Sequence, residues 1–128
     1  MKAARIPASR LVGDWQSVLI GEPGQTGFFR ITDDFRCFTA IPMQADRSDR
    51  IAQNRLWMEP ESESSFKLFR ADKPFEIHHR YFFEGEVLML TQFLGDQKLH
   101  EWRCIRVTAA ELPEYFEPEF AKAMDKPW

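Results

Sequence analysis

Short apolar segments alternate with turn residues along most of the chain, and this alternation constrains the fold more than any other feature. The turns recur about every 8–12 residues, a spacing typical of all-β barrels and sandwiches. No stretch between the segments is long enough for the helix that a parallel crossover needs. We therefore predict eight antiparallel strands, at residues 12–20, 28–32, 35–42, 51–59, 65–71, 75–83, 86–94 and 99–107.

An antiparallel meander of eight strands closes naturally into a barrel, because closure removes the free edges that invite aggregation. The predicted fold class is all-β: an eight-stranded antiparallel up-and-down barrel with a short C-terminal helical tail. A two-sheet sandwich is the alternative fold. We expect residues 1–128 to form a single domain, with the barrel over about 10–108 and the tail over about 109–128.

The tail has the features of short helical pieces that dock on the barrel. Thr108 and Glu111 have the spacing of a capping box, in which the glutamate reaches back to the first free amide. Phe116, Phe120 and Met124 are four residues apart and fall on one face of a helix. We expect this face to cover one barrel mouth or the outer wall; a partner-binding surface is the alternative.

Composition and charge exclude several classes of function. The 17 basic and 20 acidic residues give a net charge of −3, all of it located from Glu111 onward, and no basic cluster is longer than a pair. A nucleic-acid partner is therefore not expected. The sequence has no apolar signal core and no membrane span, and Cys37 and Cys104 are its two cysteines. We interpret both as free thiols of a cytoplasmic protein.

Motifs that would identify a reaction do not occur in the sequence. There is no CxxC, HExxH, GxxxxGK[ST] or GxSxG pattern. We assign no catalytic residue, no metal and no cofactor, and a homodimer is left open.

The first and last strands carry a resemblance to a known family. Gly13-x-Trp15 early in the first strand, eight predicted strands and a late arginine are similar to the pattern of the lipocalins and the wider calycin superfamily. In that family the tryptophan closes the barrel base and packs against an arginine of the last strand. The resemblance implies structural roles for Gly13 and Trp15, with either Arg103 or Arg106 as the partner.

Two further features bear on this resemblance. The family places a short 3₁₀ turn before the first strand, which would fall at residues 7–10. Small bacterial lipocalin-like domains usually carry a glycine-containing turn where this chain has residues 32–35, which contain no glycine. The resemblance is to the cytoplasmic lipocalin-like group, and it implies a fold more than a function.

Strand alternation predicts which side chains point into the barrel. In residues 75–83 the odd-numbered face is the more apolar and should point inward. A two-residue turn at residues 84–85 and a four-residue loop at 95–98 then define the register of the last three strands. That register places five polar residues in one interior site: His79, Tyr81, Gln92, Glu101 and Arg103.

Two alternatives accompany this predicted site. A buried Glu101–Arg103 pair could satisfy itself, with His79 as a bonded core residue. A bulge at Gly95 would flip the last strand. The residues pointing inward would then be His100, Trp102, Cys104 and Arg106.

The favoured function is non-catalytic binding of a small hydrophobic or amphipathic ligand, with a ligand carboxylate paired by Arg103. A first alternative is a small cavity enzyme that uses His79 or Glu101 as acid/base, with Tyr81 or Arg103 as the stabilising group. A second is a protein-interaction module that acts through the barrel surface or the tail. Its exposed aromatic residues would include Trp57, Phe82, Phe93 and Trp128.

Overall fold

A computed structural model describes residues 9–22, 26–42, 51–72 and 74–128. Each strand is hydrogen-bonded to the next and the last returns to the first, so the sheet is a closed antiparallel barrel. The strands are β1 (Gly13–Leu19), β2 (Thr26–Ile31), β3 (Arg36–Pro42), β4 (Ile51–Ser62), β5 (Ser65–Phe69), β6 (Glu76–Glu84), β7 (Val87–Leu94) and β8 (Gln97–Arg106). A 3₁₀ helix (Ala109–Glu111) and helix α1 (Phe116–Met124) follow. The predicted fold class is confirmed. Of the turn predicted before the first strand, Pro7 and Ala8 lie outside the described residues.

Side chains alternate between the barrel interior and its outer surface, as the pleat of a strand requires. In β6, His79 and Tyr81 are buried while Arg80 and Phe82 are exposed. The predicted inward face of this strand is therefore confirmed. The interior forms one continuous apolar cluster that draws on all eight strands.

Trp15 closes the barrel at the end where β1 begins. Its side chain is fully buried, and its indole N–H donates to the carbonyl of Leu11 at 2.9 Å. The rings of Phe29 and Phe83 lie beside it, with centroids 6.3 and 6.2 Å away. This end, called the base below, is filled by side chains.

An arginine of β8 covers the Trp15 ring, and it is Arg106. Its guanidinium carbon lies 4.3 Å from the ring centroid, within the range of a cation–π contact. Nη1 donates to the carbonyl of Val12 at 2.9 Å, and Nη2 donates to the carbonyl of Arg10. The segment before β1 is thus fixed to the last strand.

Gly13 is required by this arrangement for two reasons. Its φ of 135° lies in the half of the Ramachandran map that side chains disfavour. A Cβ atom there would also lie 2.7 Å from Nη1 of Arg106, closer than a non-bonded contact allows. Glycine therefore permits the backbone to pass directly beneath the arginine.

The turn between β2 and β3 forms without the expected glycine. Phe35 takes the left-handed conformation itself, with φ of 62°, at a cost of roughly 1–2 kcal/mol. Its backbone N–H donates to the carbonyl of Thr32 in the same turn at 2.9 Å, and its carbonyl accepts from the N–H of Met58 in β4 at 2.8 Å. The ring packs against the interior cluster, and this burial offsets the backbone strain.

Helix α1 docks on the outer wall of β3 and β4. Phe38 points outward from β3 yet is fully buried, because the rings of Phe116 and Phe120 pack edge-on at 5.4 and 5.3 Å. The predicted docking is confirmed for these two rings, whereas Met124 is 39% exposed. Neither helical segment in the described ranges has the length and apolar character needed to cross a membrane.

A polar network ties the helix to the barrel wall. Arg30 pairs with Asp14 at 2.7 Å and with Glu117 of α1 at 2.5 Å. The same guanidinium lies over the ring of Phe120 at 4.5 Å. At the 3₁₀ helix, the Glu111 carboxylate accepts a hydrogen bond from the Thr108 backbone at 2.7 Å, as the capping pattern predicted.

The aromatic residues predicted to form an interaction surface differ in exposure. Trp128 is only 6% exposed, and its carbonyl accepts a hydrogen bond from the half-buried Trp57 at 3.2 Å. The expectation that these two are exposed was therefore wrong, because they complete the docking of the tail. Phe82 is 55% exposed, whereas Phe93 is half-buried with Arg80 over its ring.

Candidate functional site

A cavity of about 450 Å³ occupies the half of the barrel away from Trp15, and it is partly open to solvent. All eight strands contribute to its wall. The apolar lining residues are Gly27, Phe28, Phe29, Ile31, Cys37, Leu56, Phe66, Leu68, Phe75, Ile77, Leu90 and Trp102. The polar lining residues are Ser17, Thr39, Asn54, Arg70, His79 and Gln92.

The change from large to small inward side chains explains why this half is hollow. β1 points Trp15 into the base and, two residues on, Ser17 into the cavity. β2 likewise places the large Phe29 deeper and Gly27 nearer the other end. Since residues two apart share a face of a strand, each of these steps removes most of a ring from the interior. The space that remains is the cavity.

Three of the five predicted site residues lie inside the barrel. His79 and Gln92 line the cavity. Tyr81 is buried deeper, beside Phe66 and Phe83, with ring centroids 5.8 and 6.4 Å away. Its hydroxyl has no hydrogen-bond partner in the described chain, and burial raises its pKa. Tyr81 therefore belongs to the packed base rather than to the cavity wall.

The placement of Glu101 and Arg103 in the interior was wrong. The β7–β8 turn is two residues long, with Leu94 opposite Gln97, and a bulge at Leu99 follows. Gln92 consequently faces His100 rather than Glu101, which reverses the inward and outward faces of β8.

Trp102 and Cys104 occupy the interior positions instead. Trp102 lines the cavity and Cys104 is fully buried. This is the orientation that a bulge at Gly95 was expected to give, although the observed bulge lies at Leu99. The β6–β7 turn also differs by one residue, at Gly85–Glu86, with Glu84 opposite Val87. That difference shifts the pairing by two residues and leaves the inward face unchanged.

The reversed strand removes three expected interactions. Glu101 is 43% exposed and pairs with Lys98 at 3.3 Å on the outside. Arg103 is also exposed, so it does not reach a ligand in the cavity or form a buried pair with Glu101. His79 and Glu101 lie on opposite sides of the barrel wall, so they do not share the cavity that the enzyme alternative requires.

His79 is the most unusual group in the cavity wall. It is 5% exposed and is sandwiched between Phe66 and Trp102, with ring centroids 5.0 and 6.2 Å away and interplanar angles of 10° and 30°. Burial, helped by the neighbouring His78, lowers its pKa from 6.5 to about 4. The imidazole is therefore neutral at pH 7. Its Nδ1 atom is buried without a hydrogen-bond partner in the described chain.

The described residues of the cavity wall carry no net charge at pH 7. Of the described lining residues only Arg70 is charged, and Asp72 neutralises it through two hydrogen bonds of 2.8 Å. Burial raises the pKa of the Cys37 thiol to about 12, so this group is protonated. The described residues also contain no cluster of three or more side chains suited to holding a metal ion.

Several wall residues were not predicted as site residues. Thr39, Asn54 and Phe66 could have been found by extending the alternation rule to β3, β4 and β5, whose inward faces they occupy. Trp102 required the correct β8 register. The alternation rule predicts which side chains of each strand point inward, but only the assembled barrel shows which of these side chains border empty space.

Comparisons of the chain with models of protein families, with curated proteins and with solved structures found no match. The geometry of the cavity is therefore the basis for inferring a function.

Proposed function

We propose that the protein binds a small apolar molecule in the barrel cavity and does not transform it. The observation that carries this proposal is the cavity itself, an apolar, partly open space with a few polar groups in its wall. Small-molecule sites have this composition, because apolar contact supplies affinity and a few polar groups set orientation. A partly open mouth lets a ligand enter without rearrangement of the sheet.

The volume of the cavity indicates the size of ligand that fits. A cavity of about 150 Å³ accommodates one benzene molecule, with its six carbon atoms. The volume here, about 450 Å³, is three times larger. Scaling by volume gives a ligand of roughly 18 non-hydrogen atoms, comparable to two or three rings.

The site chemistry supports binding over catalysis. His79 has no acidic or nucleophilic partner among the described cavity residues, and Glu101 lies on the outer surface. An efficient general base has a pKa near the operating pH, whereas burial lowers the pKa of His79 to about 4. The neutral wall described above offers contact area and hydrogen bonds instead.

We also propose that the chain is a lipocalin-like member of the calycin superfamily. The packing of Trp15 beneath Arg106, and the close passage of Gly13, support this assignment. The two buried thiols, Cys37 and Cys104, support a cytoplasmic location, where they would stay reduced.

Titration with an uncharged fluorescent probe, N-phenylnaphthylamine, tests the binding proposal. We expect saturable enhancement of its fluorescence by the wild-type protein. Leu90→Trp fills the cavity from β7 and should abolish the enhancement. Met89→Trp, on the outer face of the same strand, is the matched control and should leave it intact.

Two results would contradict the proposal. One is no saturable binding of this probe by the wild-type protein. The other is equal binding by the folded Leu90→Trp variant, which would place the probe outside the cavity. Thermal unfolding followed by circular dichroism establishes that both variants are folded.

A further inference from the structure

We propose that the ligand of this cavity is an uncharged molecule that accepts a hydrogen bond from Nε2–H of His79. This inference rests on the proposed binding function and specifies the chemistry of the ligand. It follows from the position of the imidazole, the location of its proton and the charge of the surrounding wall.

The two ring nitrogens of His79 have different surroundings. Nδ1 is buried and has no hydrogen-bond partner among the described residues. Nε2 also makes no hydrogen bond within the described chain, but unlike Nδ1 it is not fully buried. The residue lines the cavity. Nε2 is therefore the ring nitrogen that faces the ligand space.

The proton of the neutral ring belongs on Nε2. A neutral imidazole carries one N–H, and the other nitrogen is an acceptor. Buried N–H groups without an acceptor are rarer in proteins than buried acceptors without a donor. Placing the proton on Nε2 leaves only an acceptor, Nδ1, in the sealed position. His79 then presents a donor to the cavity, and the complementary ligand group is a carbonyl, ether or ring nitrogen.

The direction of this donor is held by packing. The imidazole lies between the rings of Phe66 and Trp102, so it cannot rotate without displacing one of them. The amides of Asn54 and Gln92 are more accessible to solvent, where water competes for their hydrogen bonds. His79 is therefore the polar group of the wall that discriminates most strongly between ligands.

The charge of the wall disfavours an ionised ligand. Transferring a carboxylate from water into an apolar site is costly unless a cation receives it. Arg70 is the only cation among the described lining residues, and it is already bonded to Asp72. A carboxylate would have to displace that partner. An uncharged acceptor enters at lower cost.

Three naphthalene derivatives of closely similar size separate these requirements. Naphthyl methyl ketone has an uncharged acceptor, isopropylnaphthalene has none, and naphthoate is ionised at pH 7. Their affinities are measured by competition with N-phenylnaphthylamine for the wild-type protein, for His79→Phe and for His78→Phe. His78 lies on the outer face of the same strand and pairs with Glu61, so it is the matched control.

The decisive quantity is the ratio of ketone affinity to hydrocarbon affinity, because effects common to both ligands cancel in it. We expect this ratio to fall roughly fivefold in His79→Phe, the effect of one neutral hydrogen bond, and to stay constant in His78→Phe. Naphthoate should bind the wild-type protein at least about tenfold more weakly than the ketone. An unchanged ratio in His79→Phe, or naphthoate binding as tight as the ketone, would overturn the inference.

The same measurements separate this inference from the proposed function. If N-phenylnaphthylamine itself shows no saturable binding, the binding function is wrong. If the probe binds but none of the three compounds displaces it, the binding function stands and the ligand class is wrong. If the hydrocarbon competes but the ratio does not depend on His79, binding stands and the ligand class is wrong.

A spectroscopic measurement avoids dependence on a variant that could fold poorly. The chain has three histidines, so ¹⁵N-labelled imidazole signals are easily assigned. We expect the free His79 ring to be the Nε2–H tautomer and the ketone to shift its Nε2 resonance. Protonation on Nδ1 in the free protein would contradict the inference.

Discussion

Acid should destabilise the protein through His79, and the size of the effect follows from its burial. The side chain is 5% exposed, and its pKa falls from 6.5 in the unfolded chain to about 4 in the folded state. Between these values the unfolded chain binds a proton that the native protein does not. Stability is therefore lost as pH falls through this window and is fully retained above it.

One pKa unit corresponds to about 1.36 kcal/mol, so the whole shift amounts to roughly 3.4 kcal/mol. Between about pH 7.5 and about pH 4.5, roughly 2.5 kcal/mol of this should be lost. His78 acts in the opposite direction, because its bond to Glu61 raises its pKa, but its side chain is 39% exposed and solvent screening makes its effect small.

Urea unfolding of the wild-type protein and of His79→Phe at several pH values measures the effect. Phenylalanine keeps an aromatic ring between Phe66 and Trp102 but takes up no proton. Other groups titrate equally in both proteins, so the difference between them isolates His79. A wild-type minus variant difference that stays constant from neutral to acidic pH would refute the reasoning, because the imidazole would then not be buried in its neutral form.

Three further predictions concern the base, the tail and the Cys104 thiol. Gly13→Ala should destabilise the protein by roughly 2–4 kcal/mol in urea unfolding, through backbone strain and displacement of Arg106. Gly21→Ala, also at positive φ but with open space around it, should lose only the unfolding free energy that backbone strain costs. Equal losses in the two variants would contradict the role given to Arg106. Phe116→Ala should cost about 3 kcal/mol of unfolding free energy by opening the contact with Phe38; a loss below about 1 kcal/mol would show that the helix is not docked. Cys104 is fully buried and does not line the cavity, so an aromatic disulfide reagent should not react with it before unfolding, and rapid labelling of Cys104 in the native protein would contradict its burial.

The inward face of each strand was predictable where one register dominates. In β6 the odd-numbered residues are the more apolar, and His79 and Tyr81 are inside as expected. This held although the adjoining turn begins one residue later than predicted. That error moved the pairing by two residues, and a shift by two preserves the facing of every side chain.

The register of β8 was not predictable by the same rule. The predicted four-residue loop and the observed two-residue turn with its bulge at Leu99 give strand pairings that differ by one residue. A shift by one residue reverses which face of β8 points inward. Both faces of the strand contain polar and apolar residues, so hydrophobic pattern alone gives no strong preference. The strand pairs with β7 and also with β1, where Arg106 lies opposite Trp15. Barrel closure therefore decides the register through contacts far apart in sequence.

By itself the sequence determined the number of strands, their antiparallel order and the tail that docks by its phenylalanines, whereas the role of Trp15 at the base was implied by the family resemblance. The strands and the tail depend on local periodicity and turn residues, which act over a few positions. Only the tertiary structure decided that Glu101 and Arg103 lie outside, that Trp102 lies inside and that half of the barrel is hollow. An empty volume is the difference between the space that closed strands enclose and the side chains that fill it, and no single segment contains that information.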